Sequence, residues 1–358
     1  MNILFISNAD HSHPATSGGG VRHANVLPYL GRLLGGKIVI FDNSLIFQSE
    51  FYKQLKQSGY LFQVKVFPYL KHIPYKLRII YHILASATFG FLFRNSFDVI
   101  LADFTPGMFF SAILVKLITR KKLMISVQLL DTNNYNFTTR IMKRLLRVAD
   151  GVLVANSVYL KHIKHLNTHQ TFHAISTTFK LLTHVKKRFD LCFIGSVENN
   201  RKGILEYVNV SENLAKTGRV KSALIITPSR SLDYLATIIS NRELFVVRQN
   251  LSQQNVNLCL NQSRVFLFPT HAESFGLVIG EAMRAGVPAV ISDIPEMKVW
   301  EGLAFLTQDY ASQVRVILEN YTRVRQKLLQ NVRSSHLLNM TWENVAIIEA
   351  NYIKQLFN

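Results

Sequence analysis

Residues 269–288 read PTHAESFGLVIGEAMRAGVP. The run before them, RVFLFP (264–269), is apolar enough for a buried central strand. Pro269 and the polar THAE close that strand, and helical spacing begins at about Ser274. A strand, a polar loop and a helix in this order make one step of a parallel α/β sheet. The amides of Ser274, Phe275, Gly276 and Leu277 are then expected to be the open donors of a helix N-terminus. Anions are favoured there, and Gly276 permits close approach. Glu273 and Glu281 stand eight positions apart, which along a helix is roughly 12 Å on one side of the element. That span suits one extended ligand with hydroxyls at its ends better than one metal ion. Taken alone, the spacing also fits two carboxylates on a solvated helix face.

The same alternation extends in both directions. Strands are predicted at NILFIS (2–7), KIVIFD (37–42), FDVILAD (97–103), KLMISV (122–127) and GVLVAN (151–156). A second series follows at FDLCFIGS (189–196), SALIIT (222–227), LFVVR (244–248), RVFLFP and PAVIS (288–292). Each series predicts one doubly wound parallel sheet. TTFKLLTHVKKR (177–188), basic and turn-rich, breaks the pattern between them. The expected division is a first domain over 1–183, a second over 184–338, and a C-terminal helical segment over 339–358. The tail from Gln313 onward reads as two helices.

A chain of 358 residues, 48% hydrophobic and 18% charged, is a globular one long enough for two cores. Its two cysteines, Cys192 and Cys259, sit in apolar runs and read as buried thiols of a reducing compartment. The opening MNILFISNAD lacks the basic n-region of a signal peptide, so a cytoplasmic location is expected. The longest apolar run, IIYHILASATFGFLF (79–93), would be a helix of roughly 22 Å, short of the ~30 Å bilayer core. The net charge of +19 is uneven: residues 1–185 hold 21 Lys and Arg against 7 Asp and Glu, leaving 20 against 15 for the rest. An anionic partner is therefore expected on the first domain.

Two more stretches carry candidate chemistry. FIGSVENNRKGILEYV (193–208) brings a glycine, Gly195, and a basic pair, Arg201 and Lys202, before Gly203 at a helix start. SGGGVRHANVLPYL (17–30) places Gly19 and Gly20 at the start of a helix after the first strand, where glycines let a backbone approach a ligand. This is not the GxGxxG spacing of a dinucleotide-binding turn.

In these stretches the sequence resembles glycosyltransferase family 4, the large retaining GT-B group. The family's second domain carries a pattern close to P-S-x-x-E-x-F-G-L-x-x-x-E-A-M-x-x-G-x-P. Pro269, Glu273, Phe275, Gly276, Leu277, Glu281, Ala282, Met283, Gly286 and Pro288 are in register with it. Gly195, Lys202 and Gly203 match the family's strand, glycine and Lys-Gly, and Gly19 with Gly20 match its first loop. The resemblance implies a GT-B fold: two Rossmann-like doubly wound sheets facing a cleft, with the last helix returning to the first domain. It implies a nucleotide-sugar donor, with Glu281 on the ribose, Glu273 at the donor sugar, and Lys202 on the leaving diphosphate. The amides of Ser274 to Leu277 would lie near the pyrophosphate and sugar. Where many members have an arginine after the first glycine, this chain has Ser196, and Arg201 stands in as a candidate. Where many have a histidine near the sugar and acceptor, it has Gln128, with Asp131 nearby.

No DxD triplet occurs, and KHIKHLNTHQTFH (161–173), with His162, His165, His169 and His173, reads as a solvated helix and loop rather than a metal site. A metal-independent enzyme without a cofactor is expected, with a saccharide or lipid-linked acceptor in glycan, glycolipid or surface polysaccharide synthesis. Arg140, Lys143, Arg144 and Arg147 of RIMKRLLR fall on one helical face, opposite Ile141, Leu145 and Val148. Peripheral contact with an anionic membrane at its cytoplasmic side is expected there, and the segment from Lys71 to Arg94 adds apolar insertion. Nucleic acid is not expected as a partner. The rival readings are a GT-B epimerase or phosphorylase, or a catalytically silent binding protein that keeps the fold.

Overall fold

The computed structural model describes all residues except 8–17, 71, 129, 131–136, 164, 166, 230, 231 and 358, so Asp131 lies outside the described residues. The chain divides into two compact units, Met1–His173 with Trp342–Asn358, and Ala174–Thr341.

Strands of the first unit are β1 (Ile3–Ile6), β2 (Ile38–Asn43), β3 (Phe62–Phe67), β4 (Val99–Asp103), β5 (Lys122–Val127), β6 (Gly151–Val154) and β7 (Thr168–Gln170). They form one sheet in the order β3-β2-β1-β4-β5-β6-β7, every pair parallel. Ile3 pairs with Ile38 on one side and with Val99 on the other. Every residue of β1, β2 and β6 is buried, as a parallel sheet covered on both faces requires. The two edge strands are not among the predicted ones. FQVKVF in β3 and THQ in β7 are only partly buried and carry polar residues, which blunt an exposed edge and also hide it from hydrophobic periodicity. Five helices connect these strands: α1 (Gly18–Leu34), α2 (Glu50–Gln57), α3 (Tyr75–Leu92), α4 (Pro106–Thr119) and α5 (Phe137–Leu145).

The predicted basic face over 140–147 is shorter than expected. The helix ends at Leu145, and Arg147 sits in a 3₁₀ turn, Leu146–Val148. Met142 and Leu146 supply its buried contacts, while Ile141, Leu145 and Val148 are only partly covered. The histidine-rich stretch also departs from a solvated loop, since β7 runs through it and His173 is buried.

In the second unit β8 (Phe189–Ile194), β9 (Ala223–Thr227), β10 (Phe245–Gln249), β11 (Ser263–Phe268), β12 (Ala289–Ser292) and β13 (Phe305–Thr307) form a parallel sheet in the order β10-β9-β8-β11-β12-β13. Its helices are α6 (Ile204–Lys216), α7 (Asp233–Ile238), α8 (Gln253–Asn261), α9 (Leu277–Arg284), α10 (Tyr310–Glu319), α11 (Tyr321–Ser334) and α12 (His336–Asn339). Cys192 and Cys259 are free and buried in this core, where burial pushes the Cys192 thiol up to about 12.

The last helix, α13 (Trp342–Gln355), belongs to the first unit and packs on α1. The tail from Gln313 is therefore four helices rather than two. Arg22 of α1 and Glu349 of α13 form an ion pair with both side chains about 1% exposed. The Thr171 hydroxyl accepts from Arg22 at 2.9 Å and donates to Glu349, so the buried charges are also hydrogen-bonded. Tyr352 donates to the Asn167 carbonyl and stacks on His169 with centroids 4.8 Å apart.

Candidate active site

Each sheet reverses its winding once. In the second unit β8 continues to β9 on one side, while β11 continues to β12 on the other. Ligands of open α/β sheets bind outside the carboxyl ends of the strands at such a point. Here the loop after β8 carries Gly195 to Gly203 and the loop after β11 carries Pro269 to Gly276.

The two loops are fastened to each other through backbone. The amide of His271 donates to the Arg201 carbonyl at 3.0 Å, and the Thr270 hydroxyl donates to the same oxygen at 3.3 Å. Gly203, at φ 75°, closes the 3₁₀ turn Asn200–Lys202 directly against the Pro269 carbonyl. A Cβ at Gly203 would lie 1.9 Å from that oxygen, so both the dihedral and the space demand glycine. The consequence is that Lys202 and Glu273 are brought together as an ion pair, each with less than a fifth of its side chain exposed. The Lys202 ammonium also lies 5.8 Å from the centroid of the Phe268 ring. The second oxygen of Glu273 accepts from the Ser274 amide at 3.0 Å.

The helix starts later than its sequence predicts. Gly276 is its N-cap at φ 76°, and α9 begins at Leu277, not near Ser274. The Ser274 amide is bonded to Glu273, and Ile279 bonds back to Gly276 at 2.9 Å, so the leading amides of the helix are those of Leu277 and Val278. Phe275 is buried instead, with its carbonyl accepting from the Trp300 indole at 2.6 Å and its ring 4.8 Å from that of Trp300. A polar loop followed by a left-handed glycine satisfies the strand end locally, which delays the first helical turn.

Glu281 sits in the middle of α9 with its side chain partly covered. Burial pushes its pKa up to about 8. Gly195 lies at the end of β8, where a Cβ would come 3.3 Å from the Cβ of Lys202. Ser196 shares a hydroxyl contact of 3.1 Å with Ser229, which also accepts the Val197 amide at 3.0 Å. Arg201 is exposed on the turn beside Lys202, its amide bonded to Asn199.

One group here was not legible in the sequence. The Asn200 amide reaches Glu206 at 2.9 Å and His271 at 3.2 Å, and His271 lies 3.0 Å from Glu206. No spacing rule connects positions 71 residues apart, so only the docking of the two loops reveals this cluster.

In the first unit the winding reverses between β1 and β4. Asp103 ends β4, and His23 of α1 meets it at 2.7 Å with the imidazole almost fully buried. The two residues lie 80 positions apart, so no local pattern in the sequence joins them. Gly19 and Gly20 form the first turn of α1. Gln128 follows β5 and donates to Ser126, while its Oε1 is buried without a partner among the described residues. A separate pocket in this unit is lined by Phe67, Tyr69, Arg78, Tyr81 and His82, and burial lowers the His82 pKa.

Residues 188–322, which span both loops of the second unit, match the family model described as glycosyl transferases group 1. The chain carries a group 1 glycosyltransferase domain. Solved structures share the fold across the whole chain. A glycosyltransferase from Rickettsia africae is 13% identical, with a TM-score of 0.75 over 100% of this chain and 98% of that one. Sucrose-phosphate synthase from Thermosynechococcus elongatus is 16% identical, with a TM-score of 0.78 over 100% and 99%. HepE from Anabaena, solved in complex with UDP and glucose, is 16% identical, with a TM-score of 0.73 over 100% and 99%. No curated protein sequence matches the chain.

Proposed function

We propose that this protein is a glycosyltransferase, moving a sugar from a nucleotide-sugar donor to a saccharide or lipid-linked acceptor with retention of anomeric configuration. The observation that carries the reading is the Lys202–Glu273 ion pair at the β8/β11 reversal. An ammonium and a carboxylate that neutralise each other are each released by one half of a donor. Lys202, aided by Arg201, takes the diphosphate and stabilises the charge that builds as it leaves. Glu273 takes a sugar hydroxyl and faces the positive charge developing at the anomeric carbon. The Leu277 and Val278 amides lie toward the phosphates, and Glu281 accepts from the ribose hydroxyls.

The sugar moves by front-face displacement: the acceptor oxygen forms its bond on the side from which the diphosphate departs, and the diphosphate accepts the acceptor's proton. The complex with UDP and glucose of a protein with the same fold supports a donor of this kind. The acceptor is met at an anionic cytoplasmic membrane face through Arg140, Lys143, Arg144 and Arg147. Arg140, Arg144 and Arg147 are exposed in support of this.

A thermal-shift screen of nucleoside diphosphates and their sugars tests the donor. A ligand at 100 times its Kd stabilises by ~2.7 kcal/mol. The product's anomeric configuration, read by proton NMR, tests retention. No shift with any nucleotide, or an inverted product, overturns the reading.

A further inference from the structure

We infer that helices α3, α4 and α5 of the first unit form a lipid-docking face, with the outward stripe of α3 seated at the headgroup–acyl boundary of an anionic bilayer. This deepens the membrane contact proposed above and is independent of the sugar chemistry.

The first observation is the stripe itself. Leu77, Ile80, Leu84 and Phe91 recur at helical spacing along one side of α3, and with Leu92 they are 52% to 66% exposed. Thr88 completes the row, and its hydroxyl donates back to the Leu84 carbonyl at 3.1 Å, so its polar atom is satisfied within the helix. From Ile79 to Phe93 there is no charged residue, although this side faces outward. An 18-residue helix is ~27 Å long, and no helix of the described residues is long and apolar enough to cross a membrane. An amphipathic helix of this kind lies in the interface plane rather than spanning it.

The second observation is charge. Helices α3 and α4 are packed side by side, joined through His82 and Ser111 at 2.9 Å, and α4 contacts α5. None of the three contains a single Asp or Glu. The last turn of α4 adds exposed Leu117 and Ile118, and the first residue of α5, Phe137, is 78% exposed. Cations frame this apolar surface: Lys76 and Arg94 at the two ends of α3, Arg120 after α4, and Arg140, Arg144 and Arg147 on and after α5. The Arg94 guanidinium lies 5.1 Å from the Phe91 ring centroid, which leaves its charge at the rim of the apolar patch. An apolar ridge on helices free of Asp and Glu, with cations at its rim, matches an anionic lipid surface, since acidic headgroups neutralise the rim while the ridge leaves water. An acidic protein partner would neutralise the cations but leave the ridge to find its own apolar groove.

The test uses the full chain and flotation with vesicles of phosphatidylcholine alone or of phosphatidylcholine with phosphatidylglycerol. The wild type is expected to float with the acidic vesicles and to be released by salt only in part. Ile80→Glu with Leu84→Glu should weaken that binding by more than about tenfold, while Val316→Glu, an exposed position of α10, leaves it unchanged. Unaltered thermal unfolding and nucleoside diphosphate binding show that the double variant is folded. They also keep a failed donor site distinct from a failed membrane face. Leu84→Cys, labelled with an environment-sensitive dye, should shift to the blue on acidic vesicles, the two native thiols being buried. Acidic-vesicle binding that the double variant retains in full would overturn the proposal, as would a wild type that ignores acidic vesicles. A stable dimer that Ile80→Glu with Leu84→Glu dissociates would assign the stripe to a second copy of the chain and overturn it equally.

Discussion

Lys202 and Glu273, 71 positions apart in the chain, form an ion pair at the point where the second sheet reverses its winding. Because the donor is proposed to divide this pair, the two residues act on one transition state. Lys202→Ala and Glu273→Gln are each expected to lower kcat by about 10²- to 10³-fold. The double variant should fall by much less than the product of the two losses. Steady-state kinetics of all three, with unchanged thermal unfolding, make the check.

Glu281 sets a pH dependence of stability. Its pKa is about 8 in the fold against 4.5 for a free glutamate side chain, so between these limits the native state holds a proton that the unfolded chain has released. Stability from this group is therefore fully present below pH 4.5 and is lost as pH rises through 8. Glu281→Gln should flatten this part of the profile, seen as a smaller fall in Tm across that range.

Arg22 and Glu349 predict how the C-terminal helix is held. Removing one partner leaves a buried charge without its counter-ion, so Glu349→Ala should cost about 3–5 kcal/mol in urea denaturation. Arg22→Met with Glu349→Leu removes both charges together and should recover most of that loss. Burial already lowers the Arg22 pKa to about 10, the direction expected of a cation whose solvation is poor.

Gly203 is the hinge pin of the site. At φ 75° with the Pro269 carbonyl where a Cβ would stand, Gly203→Ala should destabilise by about 2–4 kcal/mol and displace Lys202. Urea denaturation measures the first effect. A loss of activity near that of Lys202→Ala measures the second.

The interior strands were legible because parallel sheets bury both faces, which writes continuous apolar runs such as NILFIS and RVFLFP into the chain. Edge strands such as FQVKVF were not, because solvent on one side permits polar residues. The helix after Glu273 begins three residues later than its spacing predicts, since spacing marks where apolar residues recur and not where a left-handed Gly276 permits the first turn.

The sequence by itself determined that two parallel sheets form, because continuous apolar runs are enough for that, while its resemblance to glycosyltransferase family 4 pointed to Glu273, Lys202 and Glu281 as candidates. Tertiary structure alone decided that Lys202 touches Glu273, that His23 touches Asp103, and that Arg22 meets Glu349 of the last helix. It also decided that the apolar stripe of α3 faces outward. Each of these joins positions far apart along the chain, or chooses between two sides of one helix, and both are settled by packing rather than by any local preference.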